Sequence, residues 1–185
     1  VHVCGKASNA FIFQLFPRCP QLREWLKSLT IVEPKREESD FKHHTMTGAA
    51  ILSEMGAPDW VVSVVGAHHG KPLPGNFDPS AVMEAERNLF GCEADRPIWR
   101  SFWQETVDEA LERAGYASLE DVPQTMTQPA QMLLVGLLIV ADWLSSNTEF
   151  FPLIDEESDV DDSMYPARFE RAAKKMKEFL GKWEP

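Results

Sequence analysis

Cysteine is scarce in this sequence: Cys4, Cys19 and Cys92 form an odd set with no CxxC pair, which excludes a disulfide framework and points to a reducing, cytoplasmic setting. Positive charge is also short. Against 29 Asp and Glu there are only 18 Lys and Arg, a net charge of -11, so a broad basic face that grips nucleic acid by neutralising phosphates is excluded. The longest apolar run, Met132 to Ala141, falls well short of the roughly 18–20 residues a bilayer demands, and no leader peptide opens the chain, so the sequence reads as soluble with no membrane partner. GxSxG, Walker-type GxxxxGK[ST], GxGxxG and HExxH are all missing, which removes the common nucleophile-elbow, P-loop, dinucleotide and zincin templates.

What is present is helical periodicity. Pro20–Thr30 carries Leu22, Trp25, Leu26 and Leu29 on one face, and Ile31–Phe41 reads as a charged loop. A helix over Lys42–Met55 ends at Gly56, and a second over Pro58–Ala67 precedes the irregular stretch Lys71–Pro79. Helices are further expected over Ser80–Leu89, over Pro97–Ala114 with Trp99, Phe102, Trp103, Val107, Ala110 and Leu111 as its packing face, and over Pro166–Leu180 after an acidic loop, Asp155–Asp162. Thr127–Ser146 is the most apolar of all and is expected to be a central buried helix. With no strand pattern of any strength, the fold class is all-α, a compact helical bundle.

The five histidines fall in three places: His2, the pair His43/His44 and the pair His68/His69. Neutral imidazoles with a carboxylate suit Fe, Mn, Co, Ni or Zn. His68 and His69 lie between Gly66 and Gly70, where the backbone can turn so that both rings converge; alternatively they decorate a helix C-terminus, favoured by its macrodipole. Asp142 follows the apolar run and is either buried, where it needs a metal or a cation to offset desolvation, or already in solvent beside Ser145, Ser146 and Asn147. Lys6 and Lys71, each close in sequence to a His, are phosphate candidates, whereas Arg96 and Arg100 read as solvated. A Cys4/His2 nucleophile pair lacks a third group.

Four segments then carry a resemblance. His2-Val3-Cys4-Gly5-Lys6 with Ala10-Phe11 resembles an HDxGK opening, His44-Thr45-Met46-Thr47-Gly48 an HxxxG helix, Gly66-Ala67-His68-His69-Gly70 an HHG turn, and Ala141-Asp142-Trp143-Leu144-Ser145-Ser146 an ADWxxS segment. In this order they resemble the HD nuclease domain of the CRISPR-associated type I helicase-nuclease. The resemblance spans nearly the whole chain and implies a single HD-type helical domain over 1–185, the N-terminal part of a longer helicase-nuclease that lacks its first helix here.

It further implies His2, His44, His68, His69 and Asp142 as ligands of one or two divalent transition ions (Fe, Mn, Co or Ni), with Lys6 and Asp142 in catalysis and Lys71 and Ser146 on substrate. His44 is preferred to His43 because the HxxxG spacing to Gly48 starts there. Implied partners are single-stranded DNA, an RNA-guided surveillance complex and a helicase domain, in the same polypeptide or a separate subunit. Val3 departs from the pattern: it stands where the family has a metal-bridging Asp. A family His further upstream is also absent. An impaired or inactive HD domain serving as a docking module is therefore the alternative, and an HD nucleotide phosphohydrolase a third reading.

Overall fold

The structure is a computed structural model and describes residues 4–17, 19–28, 43–84, 89–90, 93–152 and 164–181. His2 and Val3, the segment 31–41, Cys92 and the acidic loop 155–162 lie outside the described residues. Among the described residues there are eight α-helices and no strand, which makes the fold all-α: α1 (Asn9–Phe13), α2 (Pro20–Ser28), α3 (His44–Glu54), α4 (Asp59–Gly66), α5 (Pro79–Glu84), α6 (Arg96–Ala114), α7 (Gln128–Ser145) and α8 (Met164–Leu180). A 3-10 turn, Cys4–Lys6, precedes α1. The described residues fall into two compact units, divided within α7 between Gly136 and Leu137.

In the first unit the core is built on α3, whose Ala49, Ala50, Ile51 and Leu52 are buried. Four consecutive buried residues exceed what one amphipathic stripe provides, because α4, α5 and the Cys4–Lys6 turn all pack on this helix. Val62 and Val65 of α4 join the same cluster with Leu89, Phe90, Trp99, Trp103 and Val107. Trp99, Trp103 and Val107 recur at i, i+4 and i+8 on α6, and Trp103 also donates its indole N–H to the Ala7 carbonyl at 2.7 Å. That bond ties α6 to the N-terminal segment. Pro97 in the first turn and Gly115 at a left-handed φ of 79° set the two ends of α6.

Three expectations from periodicity are corrected. Phe102 is 57% exposed, so the packing stripe of α6 is narrower than its apolar sequence. Trp25 on α2 is likewise exposed, while Leu22 packs against the core. None of the residues of α7 is buried, and Met132 and Leu133 stand at 76% and 71% exposure. Apolar composition tells what a helix can bury, not what it meets. Measured over its full length α7 is also apolar enough, by length and composition, to cross a membrane, because averaging absorbs Gln131 and Asp142 that interrupt the shorter run.

A close backbone approach in the first unit explains two glycines. A Cβ on Gly5 would lie 1.9 Å from the His44 carbonyl oxygen and 2.5 Å from the Gly48 nitrogen, and one on Gly48 would lie 3.2 Å from the Gly5 nitrogen. The Cys4–Lys6 turn thus rests directly on the first turns of α3, with the Cys4 thiol reaching the Gly48 carbonyl at 3.7 Å. Burial pushes the Cys4 thiol up to about 11, so it is a packing group rather than a nucleophile. Gly5→Ala should destabilise the protein by about 3 kcal/mol or more, the upper end for overpacking, because the obstructing atoms are backbone. Gly48→Ala should cost less, about 1 kcal/mol. Urea unfolding of both variants checks the order.

Candidate metal centre

Two elements deliver three imidazoles to one place. His44 is the first residue of α3, and His68 and His69 lie in the turn that ends α4, the helix packed beside it. Gly70 takes a positive φ of 79°, and its N–H donates to the Ala67 carbonyl at 2.7 Å, closing that turn. Gly66 has a different task from the one expected. A Cβ there would come within 2.5 Å of the Leu73 side chain, so Gly66 seats the following loop against α4.

Ring nitrogens of His44, His68 and His69 all lie within 4.8 Å of one another. His68 is 1% exposed, His44 half-buried and His69 exposed, so the trio runs from the interior to the surface. The Nδ1 of His68 stands 2.6 Å from the Val65 carbonyl oxygen. Because a carbonyl only accepts, Nδ1 carries the proton and the Nε2 of neutral His68 offers a bare lone pair. His44 Nε2 lies 3.2 Å from that lone pair and donates to it. Two nitrogens sharing a proton at this distance are spaced as two ligands of a tetrahedral ion, about 3.3 Å apart for bonds of about 2.0–2.1 Å. A cation taken between them replaces that proton, so the donor set fits a divalent transition ion.

Burial, then the neighbouring His69, His68, Lys6 and His43, hold His44 well below its ordinary value near 6.5, at about 4. Between these values the unfolded chain takes up a proton that the folded protein refuses. Stability from this group is therefore present above pH 6.5 and lost as pH falls toward 4. Thermal unfolding of the metal-free protein over that window should show the decline, and His44→Gln should flatten it.

The surroundings place the remaining candidates. His43, exposed, stacks on His44 with centroids 5.6 Å apart and is tethered through Nδ1 to the Thr45 hydroxyl at 2.8 Å. Its own nitrogens are outside the gathered set. Phe11 meets His44 edge-on at 5.5 Å, and the Lys6 ammonium lies 6.0 Å from the Phe11 ring centre. Sequence reasoning missed Phe11 as a wall of the site, although it belongs to the opening motif. Lys71 lines a cleft of about 420 Å³ that also takes in His43 and His69. In the second unit, part-buried Asp142 and exposed Ser146 lie at the end of α7, where the Asp142 carbonyl accepts from the Ser145 hydroxyl and the Ser146 N–H, each at 3.0 Å. His2 is outside the described residues.

An all-α body that gathers imidazoles from the start of one helix and the end of its neighbour defines a metal-binding domain of the HD type. Residues 1–151 match the family described as Cas3, HD domain, and the chain belongs to that family. A curated relative, the CRISPR-associated nuclease/helicase Cas3 of Streptococcus thermophilus, is 31% identical over 165 residues, covering 86% of this chain and 17% of the relative. The chain thus spans a small part of that relative's length. No solved structure matches it.

Proposed function

We propose that this chain is a metal-dependent nuclease domain that hydrolyses phosphodiester bonds of single-stranded DNA in CRISPR interference. The observation that carries the reading is the convergence of His44, His68 and His69 with ring nitrogens within 4.8 Å. When bound there, Fe, Mn, Co or Ni supplies Lewis-acid polarisation of a phosphoryl oxygen and lowers the pKa of a coordinated water. His44 and His68 hold the ion from the interior and exposed His69 from the solvent side, where substrate enters. His2 and Asp142 are proposed as further ligands. Lys6, near the trio through Phe11, and Lys71 in the adjoining cleft supply positive charge for the phosphate, and Ser146 a substrate contact.

The relative's name, nuclease/helicase, supports delivery of the strand by a helicase domain, in the same polypeptide or a separate subunit, and an RNA-guided surveillance complex is the proposed recruiter. A net charge of -11 fits that division of labour, since this surface alone holds DNA weakly. The cytoplasm is the proposed location. Val3 supports a second reading, a reduced or inactive HD domain kept as a docking module, because valine cannot ligate where the family has aspartate. Incubation of single-stranded DNA with the chain and Mn, Co, Ni or Fe, with a chelator control, separates the two. Metal-dependent cleavage is the expected result, and its absence with every metal sinks the nuclease reading in favour of the module.

A further inference from the structure

We propose that the cleft beside the histidine trio is a base-binding subsite, which seats the nucleotide adjoining the scissile phosphate and takes any base. This rests on the nuclease reading and adds the place where the strand is gripped. The cleft, about 420 Å³, is walled by Met46, Pro72, Leu73 and Pro74 and reaches His69 and Lys71. Its volume is within the roughly 300–1,000 Å³ of small-ligand pockets and large enough for a nucleobase with its sugar.

Three features make it a subsite rather than a packing gap. First, it shares His69 with the trio, so a phosphate held at the metal centre leaves its neighbouring base at the cleft's mouth. Second, its walls are mainly apolar, with His43 and Thr45 on the side of the trio, and it carries Lys71, an exposed cation two residues beyond His69. A nucleotide has the complementary layout, a flat apolar face and an anionic phosphate. Third, the far wall is held in position: Leu73 lies where any side chain on Gly66 would collide at 2.5 Å, so the loop after the HHG turn is seated on α4.

The two clefts near Arg100 are less suited, since Glu54 lines both and pairs with that arginine. Apolar walls contact the faces of a base and not its hydrogen-bonding edges, so the grip is indifferent to sequence. It also offsets the weak electrostatic hold of an acidic protein.

The test uses the full chain with Mn, oligonucleotides in which one abasic nucleotide is stepped along the strand, and bis(p-nitrophenyl) phosphate as a phosphodiester without a base. Removing the base next to the cleaved bond should slow cleavage about ten-fold, by a similar factor whichever of the four bases is removed, while an abasic position elsewhere in the strand has little effect. Met46→Trp, which fills the cleft, should slow cleavage of the intact strand to the abasic level and leave hydrolysis of the small diester unchanged. Leu73→Ala, which lowers a wall, should act in the same direction more weakly.

Equal cleavage of intact and abasic strands overturns the proposal, as does a matching loss on the small diester, which would place the damage in the metal centre. Should the wild-type chain hydrolyse neither substrate with Mn, Co, Ni or Fe, the nuclease reading fails, and anisotropy of labelled oligonucleotides on the metal-free protein at low salt decides the subsite alone. Tighter binding of the intact than of the abasic strand, lost in Met46→Trp, sustains it; equal binding overturns it.

Discussion

Replacing His69 by alanine should lower affinity for a transition ion at least 100-fold while leaving the metal-free protein as stable as the wild type. Replacing His68 should do both kinds of damage. Loss of a partner that merely orients a ligand costs about 10–100-fold in metal affinity, so loss of a ligand itself is expected to cost no less. The two substitutions differ in what else they remove. His69 is exposed, and truncating it opens no buried cavity. His68 is 1% exposed and its ring donates to the Val65 carbonyl at 2.6 Å, so His68→Ala empties buried volume and leaves that carbonyl only the longer bond from the His68 backbone N–H, at 3.4 Å. A stability loss of about 2–4 kcal/mol follows for His68→Ala, and none resolved for His69→Ala.

Isothermal titration with Mn or Ni reads the affinity, and thermal unfolding with and without metal reads the linkage, since an ion that binds only the folded state raises the midpoint. The rise should vanish in both variants. Undiminished metal binding by His69→Ala would show that the trio is not the metal centre. The pair of variants is needed because either phenotype alone has a bland explanation: a destabilised protein loses metal by unfolding, whereas a stable one that loses metal has lost a ligand.

The course of the helices was legible because their signals are local. Gly56 with Pro58, Pro97 with Gly115, and the Pro/Gly stretch 71–79 mark ends that depend only on backbone preferences. His44 and the 68/69 pair were legible as candidate ligands because imidazole is rare here and paired, and the resemblance to the HxxxG helix, which starts at His44, favoured it over His43. Other features depend on what meets what. Gly5 and Gly48 could be read as motif positions, but only their contact across 43 residues of sequence shows that a Cβ has no room. Gly66 was legible as a flank of the histidine turn but not as the seat of Leu73, whose side chain it accommodates from seven residues away. Periodicity likewise overestimated α7, Phe102 and Trp25, because an apolar stripe states a capacity for burial and the partner surface sets how much is used.

Val3→Asp should raise both the number of ions bound and the rate of cleavage. Valine has no lone pair and no charge, so it can neither ligate an ion nor offset its positive charge, whereas an aspartate can do both. The trio His44, His68 and His69 offers donors for one ion. Hydrolysis of a phosphodiester requires charge compensation on two sides, at the attacking water and at the departing oxygen, and a single ion serves one of them well. Supplying the second is worth on the order of 100-fold in rate, the scale of one well-placed stabiliser of developing charge. Metal analysis of the purified protein should therefore pass from one ion per chain toward two in Val3→Asp, with cleavage of single-stranded DNA rising in parallel. Val3→Asn separates charge from shape: it matches aspartate in size, carries no charge, and should recover little of either. An unchanged metal count in Val3→Asp would remove valine as the cause of a reduced site. Cleavage that appears only with the aspartate would mean that the natural chain retains the scaffold of a nuclease and has lost one carboxylate's worth of chemistry, since the remaining imidazoles already hold the geometry that the added charge completes.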